Sequence, residues 1–435
     1  MNETSHQLET SHRLHDQARR TLAGGVHSSM RAGQNPLVFF ERAEGPYIFD
    51  VDGNRYVDYK LGAGPLILGH SPPDVIAAVK SQLDQGLQTA TETPVGNEAA
   101  SSFVDLVPCA DLVHFANTGS EALQLAMRLA RAHRGRSRLI CFEGHFHGWL
   151  DNACFSVPES GTAPAPATAG QGDALRDLTL LPWNDVETLV GAVRDDPNQV
   201  AAVMMNPIML AGSPGGTMPR PGYLEKVRQI CTDHEILLIF DEVLTGFRVA
   251  LGGAQELFGV RPDLATYAKA IAAGLPIGAV AGTRQVMDLI ASNKVAHPGT
   301  YNGNALSMAA AVAALDHLAA DDGRFYRTCN ATREQLTRGI QESAARHHVP
   351  VCINGAGAVL TVWFTDGSDY HDYRTAKAAH DSHRSARFFG GLMRRGVLSN
   401  PSMFLSDAHT QIEIEMTLEA VEEAMREVAL VHRLA

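Results

Sequence analysis

The chain is predicted to be an α/β protein built on a mostly parallel sheet, with a smaller α+β part beside it. Three observations lead there. Short apolar runs at 112–115, 139–142, 201–205, 236–240 and 277–281 recur between stretches of helical spacing, and strands alternating with helices specify a largely parallel sheet. A length of 435 residues exceeds what one core fills, since single cores stop growing near ~250–300 residues. The two ends of the chain read differently from its middle, β-rich at the start and helical around one strand at the finish.

Taken in order, the first element is a hairpin. Tyr47-Ile48-Phe49 and Tyr56-Val57-Asp58-Tyr59 flank Asp52-Gly53, a pair suited to a tight turn. From residue 73 the pattern becomes helical, with Val75, Ile76, Val79 and Leu83 on one face, and the alternating apolar runs follow. Residues 156–173, rich in Pro, Ala, Gly and Thr, interrupt the alternation and read as a mobile loop and candidate lid. From about residue 310 on, helical stretches at 306–318, 330–347, 383–395 and 417–431 flank a strand-like run at 358–364. The expected division is 1–62 as the N-terminal segment of a small domain, 63–310 as a large domain, and 311–435 as the rest of the small domain.

Composition narrows the partners. A formal charge of -12 argues against nucleic acid, whose binders carry a basic patch. The six cysteines include no CxxC pair and several lie in apolar runs, which fits reduced core residues in cytoplasm. The polar N-terminus has no apolar signal core, and no apolar stretch approaches the ~20 residues of a membrane span. A soluble, cytoplasmic protein handling small molecules is expected, with no membrane partner.

Four features then carry chemistry, each with an ordinary alternative. Asn117-Thr118-Gly119-Ser120-Glu121-Ala122 opens a long amphipathic helix, whose first amides and dipole suit a phosphate; Thr118 and Glu121 are equally a capping box needing no ligand. Gly144-His145-Phe146-His147-Gly148-Trp149 follows a strand and offers an aromatic platform for a flat ring. Plain packing is the commoner use, and the two histidines lack a third metal ligand nearby, so no metal is expected. The apolar run ending in Asp241 places a carboxylate where it needs a cationic partner, such as a protonated pyridine nitrogen; a helix cap or structural ion pair is the alternative. Lys269, in Tyr267-Ala268-Lys269-Ala270-Ile271-Ala272-Ala273-Gly274, is a lone lysine among small apolar residues. Covalent amine chemistry explains it, and snorkelling from a strand edge is the rival. A phosphate anchor, a ring platform, an acid and an amine together match the four handles of pyridoxal phosphate.

Longer motifs agree. Gly24-Gly25-Val26-His27-Ser28-Ser29-Met30-Arg31-Ala32, Asp50-Val51-Asp52-Gly53-Asn54-Arg55-Tyr56, Gly64-Pro65-Leu66-Ile67-Leu68-Gly69-His70 and Asp241-Glu242-Val243-Leu244-Thr245-Gly246-Phe247-Arg248 resemble class-III pyridoxal-phosphate aminotransferases, closest to glutamate-1-semialdehyde 2,1-aminomutase-like members. The resemblance spans roughly residues 20–310. It implies the type I pyridoxal-phosphate fold and a homodimer with active sites at the subunit interface. By residue it implies that Gly119 and Ser120 bind the phosphate, Phe146 stacks on the ring, Val243 packs its other face and Asp241 pairs with the ring nitrogen. It likewise implies that Lys269 is the Schiff-base lysine, that Thr300 reaches the phosphate across the dimer and that Arg31 meets the substrate carboxylate; Arg248, in a shared motif, is expected to be structural. Three departures stand out: Asn206-Pro207 where relatives read Glu-Pro, Ala63 where the aminomutase pattern has Trp, and a shortened stretch at 400–407.

The resulting expectation is an aminotransferase working between a small-molecule amino donor, an amino acid or other carboxylate-bearing amine, and an oxo-acid acceptor. An aminomutase is the alternative. A non-catalytic nucleotide-binding α/β protein is the rival from another class, and the chain carries neither a Walker A nor a G-x-G-x-x-G motif to support it.

Overall fold

A seven-stranded sheet runs through the middle of the chain, in the order Leu112–Ala116, Gly278–Gly282, Leu264–Ala268, Leu237–Asp241, Val200–Met205, Arg138–Phe142 and Leu178–Leu181. The structure is a computed structural model describing residues 8–34, 36–196, 198–210, 215–367 and 370–432. Gly278–Gly282 is antiparallel to both neighbours and every other pairing is parallel. The sheet is therefore mostly parallel, as the alternation predicts. Two of its strands, Leu178–Leu181 and Leu264–Ala268, escape a reading of apolar runs; the second, Leu-Ala-Thr-Tyr-Ala, has too many small residues to stand out.

Helices cover both faces, so the central strands are buried throughout their length. Side chains alternate along each strand. Leu237 and Ile239 join a cluster with Leu123, Met127 and Leu129 of the helix Gly119–Arg134. Leu238 and Phe240 join the opposite cluster, with Val227 of the helix Tyr223–Asp233, Phe103 of Pro94–Leu106 and Met308 of Ala305–Ala319. Rigid packing on both sides is what holds the strand ends in register.

A second sheet unites the two ends of the chain: Phe40–Glu44, Tyr47–Asp50 and Arg55–Asp58 are antiparallel, and Val397–Leu398 adds in parallel to Arg55–Asp58. In the expected hairpin Gly53 takes φ 88°, and the Asp50 carboxylate accepts from Asn54 N–H at 2.8 Å and Tyr56 O–H at 2.9 Å. A third sheet, Val351–Ala356, Val359–Phe364 and Ser402–Phe404, lies with the helices Arg324–Arg346, Ser382–Met393 and Gln411–His432. The first of these helices begins six residues before the expected 330, after a left-handed Gly323.

Residues 156–173, expected to be a mobile loop, contain local structure at their two ends. Phe155–Ser156 pairs with Ala165–Pro166, and the Gln171 amide pins the segment by accepting from Ala167 and Thr168 N–H and donating to the Asp151 and Cys154 carbonyls. All six cysteines are free, four of them buried. Among the described residues no helix is long and apolar enough to cross a membrane.

Candidate active site

The sheet register brings the four sequence features to one edge. Ala116 pairs with Gly278, Gly278 with Ala268, Thr266 with Asp241, and Phe240 with Met205. The turns after Ala116, Phe142, Met205, Asp241 and Ala268 therefore all emerge beyond the carboxyl ends of parallel strands, where open α/β sheets bind ligands.

The first turn starts the helix Gly119–Arg134, and its capping box is real: Thr118 Oγ1 accepts from Glu121 N–H at 3.2 Å, while Glu121 Oε2 accepts from Thr118 N–H at 3.0 Å and Asn117 N–H at 2.8 Å. Helical bonding begins with Ala122 N–H to Thr118 O. The N–H groups of Gly119 and Ser120 lie outside this cap, so the capping box and an anion site coexist at one helix end. Missing side chains allow the close packing around it. A Cβ on Gly119 would sit 3.0 Å from Val243 Cγ2, one on Gly148 would sit 2.5 Å from Ser120 Oγ, and one on Gly278 would overlap the Thr118 carbonyl oxygen.

Asp241 is buried, and its carboxylate is oriented by neighbours. Oδ2 accepts from His147 Nδ1–H at 2.7 Å, Oδ1 from Val243 N–H at 3.1 Å, and Thr266 Oγ1 lies 3.5 Å from Oδ1. Because a carboxylate only accepts, His147 must carry its proton on Nδ1. Its Nε2 is buried with no partner. Beside it, burial and then the nearby His147 hold His145 well below the usual imidazole range, and its Nδ1 accepts from Asn206 N–H at 3.0 Å. Asn206 also links Phe146 N–H, on its Oδ1 at 3.2 Å, to the Asp241 carbonyl, which its Nδ2 approaches at 3.4 Å. A neutral amide thus serves both groups, where the resemblance leads one to expect an acid. Phe146 keeps its ring 46% exposed while both flanking histidines are buried. The neighbouring acid Glu242 turns the other way, into the core, where it accepts from Ala254 N–H, Thr245 Oγ1–H and Gln255.

Lys269 follows the strand Leu264–Ala268 with φ 47°, a left-handed conformation uncommon outside glycine. Burial, then the Arg248 charge, push its amine down to about 8 against the opposing pull of Asp241. Its side chain lies along Gly64, where an added Cβ would come within 3.5 Å of Lys269 Cδ. Ala63, φ 69° and exposed, is the next residue of that segment.

Gly119, Ser120, Phe146, Asp241, Val243 and Lys269 are therefore gathered in one place. Arg31 is exposed on the short helix Ser29–Ala32 and makes no hydrogen bond to the cluster. Thr300 is exposed on a loop tied to the first turn by Asn117 Nδ2–H to Asn302 Oδ1 at 3.2 Å, and its carbonyl accepts from Gln88. In the 400–407 stretch Met403 and Phe404 both belong to the core, and Phe404 also faces Arg248. His147 is the participant that sequence reasoning missed: its place beside Phe146 was visible, but its partner lies 94 residues away.

A family model for class-III aminotransferases matches residues 28–416. The chain belongs to the class-III aminotransferase family. It is 36% identical to the glutamate-1-semialdehyde 2,1-aminomutase of Persephonella marina, over 97% of this chain and 99% of that one. Among solved structures it is similar to an omega-transaminase from Sphaerobacter thermophilus (TM-score 0.88, 30% identity, covering 96% of this chain and 97% of that one). It is also similar to the FumI protein of Sphingopyxis sp. MTA144, solved in its pyridoxal-phosphate internal aldimine form (TM-score 0.85, 28% identity, 97% of both chains). This class-III enzyme has the type I fold and depends on pyridoxal phosphate. Its site suits that group: free amides at a helix N-terminus for the phosphate, an exposed ring face, a buried carboxylate held by one histidine, and a weakly basic amine.

Proposed function

We propose that this enzyme is a two-substrate transaminase, moving an amino group between an amino acid or other carboxylate-bearing amine and an oxo acid, with Lys269 as the amine that holds the cofactor. The observation carrying this reading is the convergence of Asp241, fixed by His147 at 2.7 Å, and Lys269, its basicity lowered to about 8, at neighbouring strand ends. Pyridoxal phosphate, when bound, supplies an aldehyde for amines and a protonated ring that draws electrons from the substrate's Cα. The residues divide the remaining work. Gly119 and Ser120 amides bind the phosphate; Phe146 and Val243 bracket the ring; Asp241 holds the proton on the ring nitrogen, and His147 keeps that carboxylate aimed. Lys269 Nζ, close to neutral in basicity, carries a proton between carbons of the substrate.

Arg31 and Thr300 complete the site in a homodimer, Arg31 meeting the substrate carboxylate and Thr300 reaching the phosphate of the partner subunit. Their exposure in one chain fits that role, as does the exposure of the adjacent Met30 (76%) and Tyr301 (62%). By the same reading residues 63–310 hold the cofactor, 1–62 and 311–435 form the smaller domain, and the enzyme works in the cytoplasm.

Transamination is favoured over aminomutation by Ala63 and Asn206. An aminomutase must retain its intermediate through both half-reactions; the small, exposed Ala63, next to the Gly64 that lies along Lys269, and the neutral Asn206 offer less to retain it. The test adds candidate amino acids singly to the yellow holoenzyme, expecting conversion to the pyridoxamine form with release of a carbonyl product. Borohydride should bleach the band and leave a reduced adduct on Lys269; an adduct on another lysine refutes the assignment. Efficient isomerisation of glutamate-1-semialdehyde without net transfer to any oxo acid would establish the aminomutase instead.

A further inference from the structure

Arg248 closes the motif that begins at Asp241, and its guanidinium is completely buried. Its donors go to backbone carbonyls: Nε–H to Leu244 O at 3.1 Å and Nη2–H to Gly64 O. Nη1 is buried with no partner, no carboxylate among the described residues accepts from the group, and its Cζ lies over the Phe404 ring, 4.8 Å from the centroid. A buried cation without an acid is costly, and a chain that needed only packing would be served by methionine or leucine.

What the guanidinium holds is unusual too. Leu61, Gly62, Ala63 and Gly64 take φ 41°, 67°, 69° and 110°, a run of left-handed residues of which two carry side chains. Such strain persists only where the surroundings enforce it. Gly64 lies between the two basic groups, a Cβ there coming within 3.5 Å of Lys269 Cδ and 3.6 Å of Arg248 Nη2.

We propose that Arg248 is a positioning residue for Lys269: its guanidinium clamps the left-handed segment 61–64 along the lysine's flank and sets an uncompensated positive charge beside the amine. This rests on the assignment of Lys269 as the cofactor-holding residue. The two effects have separate signatures. The charge disfavours a second positive charge on the lysine nitrogen, in line with the lowered basicity of that amine, for which burial is the larger cause and Asp241 the opposing one. The clamp depends on the planar fork, which lysine cannot reproduce.

The experiment compares the holoenzyme with Arg248→Lys, Arg248→Gln and Arg248→Met by pH titration of the visible band and by hydrogen exchange at 61–66. Neutral substitutions should raise the pH midpoint by roughly half a unit or more, while Arg248→Lys keeps the wild-type midpoint. Exchange at 61–66 should quicken about tenfold in all three, through loss of the fork. An unchanged midpoint in folded Arg248→Gln and Arg248→Met, or unchanged exchange at 61–66, overturns the proposal. Failure of every variant to fold also overturns it, by assigning the arginine to the frame alone. Borohydride mapping of the same samples separates the two readings: an adduct off Lys269 refutes the cofactor assignment, whereas a Lys269 adduct with an unmoved midpoint refutes only the role of Arg248.

Discussion

At the residue scale, function depends on how burial and a few contacts bias charged groups. Asp241 has its two oxygens oriented by His147 and the Val243 amide, so Asp241→Asn should keep the cofactor on Lys269 yet lower kcat on the order of 10²–10³-fold, the usual cost of one preorganised electrostatic contact. Near-normal turnover would make the acid structural. His147→Phe removes a hydrogen bond to a charged group, a loss of about 1.5–3 kcal/mol, and should lower kcat by about tenfold or more. Lys269 gives a stability prediction. Burial and Arg248 hold its amine near 8, against ~10.4 when unfolded. Between these values the unfolded chain binds more protons, so the site costs stability below pH 8 and the cost fades toward pH ~10.4. In the cofactor-free protein Lys269→Met should therefore stabilise by on the order of 1–2 kcal/mol at pH 7, after allowance for its partial exposure, and by progressively less as pH rises through that window. A gain that grows with pH in thermal melts would contradict this.

Elements decide whether those residues meet. The start of Gly278–Gly282 lies so close to the Thr118 carbonyl that any side chain at Gly278 would overlap it. Gly278→Ala should push the helix Gly119–Arg134 off its strand, costing roughly 1–3 kcal/mol by overpacking. Equilibrium dialysis should then show at least about tenfold weaker cofactor binding, together with a lower Tm. Unchanged binding would mean that the Gly119 and Ser120 amides are not the phosphate site. Here the sequence was partly legible: Thr118 and Glu121 announce the helix start, and the structure keeps that cap while leaving the next two amides outside it. The strand Leu264–Ala268 was not legible, because its small residues gain their burial from the neighbouring strands and the helices on both faces.

For the whole molecule, the proposal places the site at the interface of two copies. Arg31 and Thr300 are exposed and bond to none of the gathered residues within one chain, which leaves them available to a partner. Co-expressing Lys269→Ala with Thr300→Ala should give isolated mixed dimers holding one site with both lesions and one with neither, recovering about half the wild-type activity per dimer. Each parent should be inactive. Mixed dimers as inactive as the parents would refute the cross-subunit role of Thr300.

The sequence by itself determined the α/β class, the strands with strong apolar runs, the helix start at Thr118, and the chemical inventory of Asp241, Lys269 and Phe146. Each is written in local pattern or in a residue type out of keeping with its surroundings. Tertiary structure decided how those groups are tuned. His147 meets Asp241 from 94 residues away, and Arg248 reaches Gly64 across 184. Asn206 joins two turns through its amide, and Gln171 ties residues 167–168 to 151 and 154 despite the loop-like composition there. Contacts of this kind arise from sheet register and from close approach of backbones, which set distances between residues far apart in the chain and leave no periodic trace along it.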